Sequence, residues 1–166
     1  MGQQSGYVQG GDLLLYIVEG SGQQQTRKAI GHCTTHSATF STETKDVAVK
    51  AAASVAQSNA GLYKNKRISG LSVQVKCSGL HFYADTEAGF KDLLAKWNAG
   101  APVSLELMER KTSTTSDAPE AYCSGNFVIT SLDHTAGAGD DATYDATFDN
   151  DGAVTVDTTH LDHDVS

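Results

Sequence analysis

The stretch DDATYDATFDNDG, residues 140–152, sorts into two sets of residues at alternate positions. Ala142, Tyr144, Ala146 and Phe148 are apolar or aromatic, while Asp141, Thr143, Asp145, Thr147 and Asp149 are acids spaced by threonines. Successive side chains of extended backbone point to opposite sides, so the pattern predicts a β-strand with one face in a core and one in water. A row of acids is more than solubility requires, and its purpose is the question the rest of the chain must answer.

The same period-two reading extends outward. RISGLSVQVKCSGL (67–80) sets Leu71, Val73, Val75 and Cys77 against Ser72, Gln74, Lys76 and Ser78. DLLLYIVEG (12–20) is an apolar run of strand length, and VSLELME (103–109) places Val103, Leu105 and Leu107 inward. Lys28 to Val49 is Thr-rich, with high β propensity and little apolar content, and predicts a strand wetted on at least one face. Two further strands are expected at Ala121 to Leu132 and Ala142 to Asp149.

Against these stands one helix, DTEAGFKDLLAKWNAG, over about residues 86–98, with Asp85 as N-cap and Gly100 as the stop. Phe90, Leu93, Leu94 and Trp97 fall at helical spacing and predict a single apolar stripe laid on a sheet. Strands, one helix, then more strands make a mainly β chain, an antiparallel sandwich or barrel with one flanking helix rather than a βαβ fold. One domain is expected over 12–156, with a flexible segment at 1–11, a long hairpin loop at 50–67 and an acidic, loosely held tail at 157–166.

Charge narrows the function. The net charge is −8, but residues 1–111 carry twelve cations against nine acids, and the remainder carries eleven acids and no cation. Such a chain repels nucleic acid rather than binding it along a basic patch. No apolar run is long enough to span a bilayer, and the first residues have neither the basic start nor the apolar stretch of a signal peptide, so a cytoplasmic site of synthesis and folding is expected. Gly6 stands where a myristoylation signal at Gly2 needs Ser or Thr. Cys33, Cys77 and Cys123 are odd in number and far apart, as suits reduced thiols.

Candidate chemistry fails on spacing. HCTTH would put His32 and His36 on one side of a strand and Cys33 on the other, with no second pair to complete a zinc site. Asp149, Asp151 and Gly152 match the third, fifth and sixth positions of a calcium loop, but Thr147 and Thr158 occupy the ends, where acids are needed; a turn with positive φ at Asn150 or Gly152 accounts for the stretch better. No nucleophile elbow, phosphate loop or paired carboxylates are present. We expect no catalytic residue, no cofactor and no metal site.

Tyr122 to Val156, YCSGNFVITSLDHTAGAGDDATYDATFDNDGAVTV, resembles the closing hairpin of phage tail tube proteins, also called major tail proteins: a strand ending F-x-I-T-S-L, a polar loop, then A-T-[YF]-x-A-T-F and a Gly-Ala. Cys33 to Lys50, CTTHSATFSTETKDVAVK, is similar to the family's T-x-S-x-S-x-E-T-x-D-V strand. GFKDLLAKWNAGAPVSLEL (89–107) is similar to its helix-then-strand unit, and DLLLYI fits near the start. The chain departs from the pattern at Ala51 to Lys66, an Ala-rich insertion where a short acidic or Lys-Asp-Ser turn is expected.

The resemblance implies a β-sandwich with a flanking helix that forms hexameric rings, stacked into a tube whose strands join around a lumen. It implies tape-measure, tail-initiator and tail-terminator proteins as partners, DNA passing through the bore without specific binding, no membrane, and a place in the virion tail after assembly in the host cytoplasm. Asp141, Asp145, Asp149, Thr143 and Thr147 would face water in the bore or on the outer wall; the bore is favoured because acids there leave DNA no sticky path. Lys50, Ser54, Gln57, Asn59, Tyr63, Lys64, Lys66 and Arg67 would belong to an inter-ring loop, the alternative being a plain mobile insertion. Rival readings are the inner tube of a contractile injection device and a sandwich module that binds carbohydrate or cell surfaces; the latter needs exposed aromatics, and Trp97 is assigned to the helix stripe.

Overall fold

A computed structural model describes residues 10–20, 22–47, 65–83, 87–109 and 121–161. Eight strands form one antiparallel sheet: β1 (Leu13–Glu19), β2 (Thr26–Ala29), β3 (Cys33–Val47), β4 (Asn65–Leu80), β5 (Val103–Glu109), β6 (Ala121–Thr135), β7 (Thr143–Asn150) and β8 (Thr155–Val156). The order is β2-β1-β5-β6-β7-β4-β3, with β8 beside β6. Helix α1 (Phe90–Ala99) lies between β4 and β5 in sequence.

β6 divides the sheet into two layers. Its first half pairs with β5 from Ala121 to Phe127, and its second half pairs with β7 from Phe127 to Thr135. The layer β2-β1-β5-β6 and the layer β6-β7-β4-β3 therefore share one strand, which bends where Thr130 is left over between Ile129↔Phe148 and Ser131↔Thr147. Ala29 and Cys33 close the opposite corner. They end the strands at the two extremes of the order, yet four residues can span only about 14 Å, so the far edges of the layers must meet there.

The core fills the space between the layers. Leu15, Ile17, Val103, Leu105, Leu107, Cys123 and Phe127 come from one side, Val73, Val75, Cys77, Tyr144, Ala146 and Phe148 from the other, and Ile30, Ala88 and Leu93 plug the ends. The period-two expectation thus holds in β4, β5 and β7. The corner is held by the buried Tyr144 hydroxyl, which donates to the Gly31 carbonyl at 2.9 Å. Gly79 leaves room for this contact, since a Cβ there would stand 2.8 Å from both the Tyr144 hydroxyl and the His32 carbonyl.

The helix begins later than its local sequence predicts. Ala88 makes a parallel bridge with Ile30, its N–H donating to Ala29 O at 3.0 Å and its carbonyl accepting from Gly31 N at 2.9 Å. That pairing holds the chain extended through residue 88, so Gly89 becomes the N-cap, its N–H donating to Asp92 Oδ2 at 3.2 Å. Asp85, the expected cap, lies outside the described residues. The predicted stop is observed: Gly100 is left-handed at φ 63°.

The apolar stripe also needs correction. Leu93 is fully buried and Phe90 packs against the core, but Leu94 and Trp97 are 42% and 53% exposed. A ten-residue helix resting on a sheet end buries a narrower arc than a stripe of four assumes. The single strand expected over Lys28 to Val49 is two, β2 and β3, broken at the corner where His32 takes φ 52°. At the C-terminal side, β8 pairs with β6, Asp157 N donates to Tyr122 O, and a 3-10 turn follows at Thr158–Leu161, so residues 157–161 are tied to the sandwich instead of loose.

Candidate assembly interface

Three features of the β6-β7-β4-β3 layer are without a partner among the described residues: a polar face, two backbone edges and a projecting ribbon. The face follows from register. Cross-strand neighbours share a side of the sheet, and the rows read Thr35–Ser78–Asp145–Asp133, Ser37–Lys76–Thr147–Ser131 and Thr39–Gln74–Asp149–Val128. Apart from Val128 each member is polar, and Lys76 is the one cation beside three acids in these rows. Gln74 Nε2 donates to Asp149 Oδ1 at 2.9 Å, Ser78 Oγ donates to Asp145, and Ser131 Oγ donates to Asp133 Oδ2 at 3.3 Å. Ser78 from the neighbouring strand and Ser131 from the same strand as Asp133 thus support a row in which Asp133 and Asp145 stand directly opposite, an arrangement that like-charge repulsion disfavours on its own.

Asp145, Thr147 and Asp149 lie on this face as the alternation predicts, with Thr143 half-buried at its end and Asp141 exposed just ahead of β7. Lys76, on the polar side of its strand as the alternation predicts, belongs to it too, and so does Asp133, which falls beyond the expected end of its strand. The signal for Asp133 is the alternation Ser131, Leu132, Asp133, His134, which carries β6 three residues past that end.

The edges follow from strand order. β3 pairs with β4 alone, so its other side carries no strand among the described residues. The β5 ladder ends at Val103↔Phe127, which among the described residues leaves residues 128–135 of β6 with a strand only on the β7 side. Both edges bound the same layer. Successive strands in it alternate in direction, so β3 and β6 run opposite ways.

The ribbon is the far part of the β3–β4 hairpin. β7 accompanies β4 only as far as Gln74↔Asp149, beyond which β3 and β4 continue paired to Val47↔Asn65. A bulge at Ser69, between Glu43↔Gly70 and Thr44↔Ile68, shifts the phase of β4 by one. Ile68 thereby joins Phe40 and Leu71 on the side that continues the core face, where they are 63%, 54% and 73% exposed. Lys66 and Arg67 are corrected from loop to strand: they lie in β4, opposite Asp46 and Lys45. The other expected loop residues, Lys50, Ser54, Gln57, Asn59, Tyr63 and Lys64, lie outside the described residues.

All three cysteines are free thiols packed in or against the core. Burial pushes Cys77 up to about 12 and raises Cys33 and Cys123 as well. Among the described residues no three His, Cys, Asp or Glu side chains gather as a metal site.

A family model described as phage tail tube protein matches residues 7–156. The chain belongs to the phage tail tube protein family. No curated protein sequence matches it. Among solved structures, the tail of an empty gene transfer agent (GTA) particle with C6 symmetry is similar at TM-score 0.67 and 21% identity, over 91% of this chain and 99% of that one. A chain in the virion of the native gene transfer agent particle gives 0.62 at 19% identity, with the same coverage. The SPP1 tail tube gives 0.64 at 11% identity, over 96% of this chain and 88% of its own. At such identities the likeness speaks for the fold, a mainly antiparallel β structure with one helix. With Trp97 half in solvent, the case against a carbohydrate module rests on family membership, not on burial of that ring.

Proposed function

We propose that this chain is a tail tube subunit that closes into hexameric rings by joining β3 of one copy to residues 128–135 of the next. The observation that carries this reading is the pair of strand edges on one four-stranded layer. Open edges of this length invite uncontrolled pairing, and closing them in a ring removes the hazard. Rotation about an axis near the strand direction sets β3 of the next copy antiparallel to β6, so one unbroken antiparallel wall results. The sixfold count is suggested by the C6 symmetry of the related tail.

In such a ring one side of the wall faces the bore. We assign that side to the face bearing Asp133, Asp145 and Asp149, because the other side is the core. An acidic bore repels phosphates and lets DNA pass without specific contacts. The ribbon projects along the strand direction, past the end of the layer, so it reaches toward the next ring with Phe40, Leu71 and Ile68 as its apolar side. Stacking of this kind is open-ended, and length control falls to tape-measure, initiator and terminator proteins.

Electron microscopy of the purified chain, with and without an initiating tail extract, tests the reading: rings or tubes with a central hole are expected. Hydrogen exchange resolves the joint. On assembly, amides in 33–47 and 128–135 should slow, while those of β5, already paired on both sides, should not change. Tubes that form with neither edge protected would overturn the proposed joint.

A further inference from the structure

Two histidines stand in unusual contact, one of them, His134, within the 128–135 segment of β6, opposite Tyr144 on the core-facing side of the strand rather than on the acidic face. His81 follows β4 and His134 lies near the end of β6, and their ring nitrogens, Nδ1 and Nε2, are 3.1 Å apart. Phe90, the first residue of α1, stacks on the His134 ring at 4.3 Å and 20°, and also sits 5.4 Å from His81. The His81 backbone is tied by its N–H to Ala142 O at 2.8 Å. Both rings are therefore held on ordered backbone and pressed against a third, while His134 remains open to water.

We propose that His81 and His134 bind a divalent transition-metal ion, with imidazole-preferring ions such as Zn²⁺, Ni²⁺ or Cu²⁺ as the class. Two nitrogens about 2.0–2.1 Å from one metal and about 90–110° apart stand about 2.9–3.4 Å from each other, which is the spacing already present. Binding requires each nitrogen to offer its lone pair. The ring that donates in the present contact moves its proton to its other nitrogen, so two neutral imidazoles take the ion without net proton loss. No third His, Cys, Asp or Glu joins them among the described residues, so water completes the coordination sphere. Asp92 is engaged at the Gly89 N–H, and the Tyr144 hydroxyl is spent on Gly31. The ion would clip the end of β4 to β6 beneath Phe90, fixing the start of the helix.

Calorimetric titration of the full-length, untagged chain with ZnCl₂ and with NiCl₂ at neutral pH tests the site. One ion per chain is expected, weakened by about tenfold or more in His81→Gln and in His134→Gln and unchanged in His160→Gln. A measurement without variants accompanies it: zinc should protect His81 and His134 of the wild type from acylation by diethyl pyrocarbonate, read by mass spectrometry. No saturable binding below about 1 mM, protection of other histidines instead, or undiminished affinity in both Gln variants overturns the proposal.

Discussion

At the scale of single residues, Tyr144 and Gly79 show how closely this sandwich is fitted at its corner. Removing the hydroxyl in Tyr144→Phe leaves the Gly31 carbonyl without its buried donor, and a loss of about 1–3 kcal/mol in denaturant unfolding is expected. Gly79→Ala forces a methyl against two oxygens at 2.8 Å, and a loss of about 1–3 kcal/mol is expected by the same measurement. Cys77 supplies a pH prediction. Its thiol titrates near 9.0 in the unfolded chain and about 12 in the folded one, because burial disfavours the thiolate. The unfolded state therefore loses its proton first as pH rises, and stability present below 9.0 declines from there toward 12. Thermal melts across that window should fall less steeply in Cys77→Ala. A thiol reagent at mildly alkaline pH should leave Cys77 and Cys123 unmodified until denaturant is added.

At the scale of elements, the β3–β4 ribbon extends past its neighbour β7 with exposed apolar side chains. Its three apolar side chains lie beyond the end of β7, so exchanging Ile68 and Leu71 for Asp should leave the melting temperature of the subunit nearly unchanged, within about 0.5 kcal/mol of stability. The same double substitution should leave rings intact under electron microscopy and abolish their stacking; tubes of normal length from the variant would remove the ribbon from the stacking contact. The ribbon also marks where sequence reading runs out. Alternation revealed β4 and the inward side of Val73, Val75 and Cys77, because each residue there obeys one local rule. It could not reveal that Leu71 obeys the rule yet faces solvent, since that depends on how far β7 reaches. Nor could it place Ile68 beside Leu71, since a bulge at Ser69 reverses the parity. The helix starts at Phe90 for a related reason: Ala88 bridges to Ile30, distant in sequence, and no local rule reveals that pairing. Asp145, Thr147 and Asp149 were legible because their neighbours Tyr144, Ala146 and Phe148 are plainly core residues; Asp133, opposite Asp145, was not, because its strand was read as ending at Leu132.

At the scale of the whole molecule, the acidic face is where the proposed bore can be tested. Replacing Asp141, Asp145 and Asp149 together with Asn preserves shape and hydrogen-bond acceptors while removing three charges. Tube formation should be retained and DNA ejection slowed, measured as release rate from particles carrying the variant, with the difference shrinking as salt screens the field. Unchanged release at low salt would place these acids on the outer wall. The rolled architecture has a mechanical consequence as well. Only Ile30, Gly31 and His32 join the strand at one extreme of the sheet to the strand at the other, and this turn is riveted by Tyr144 and Ala88. In the proposed ring, hoop stress drawn on β3 by an adjoining subunit would pass through that short tether into β2 and the second layer, so pressure within such a pipe would load both layers of each subunit at once.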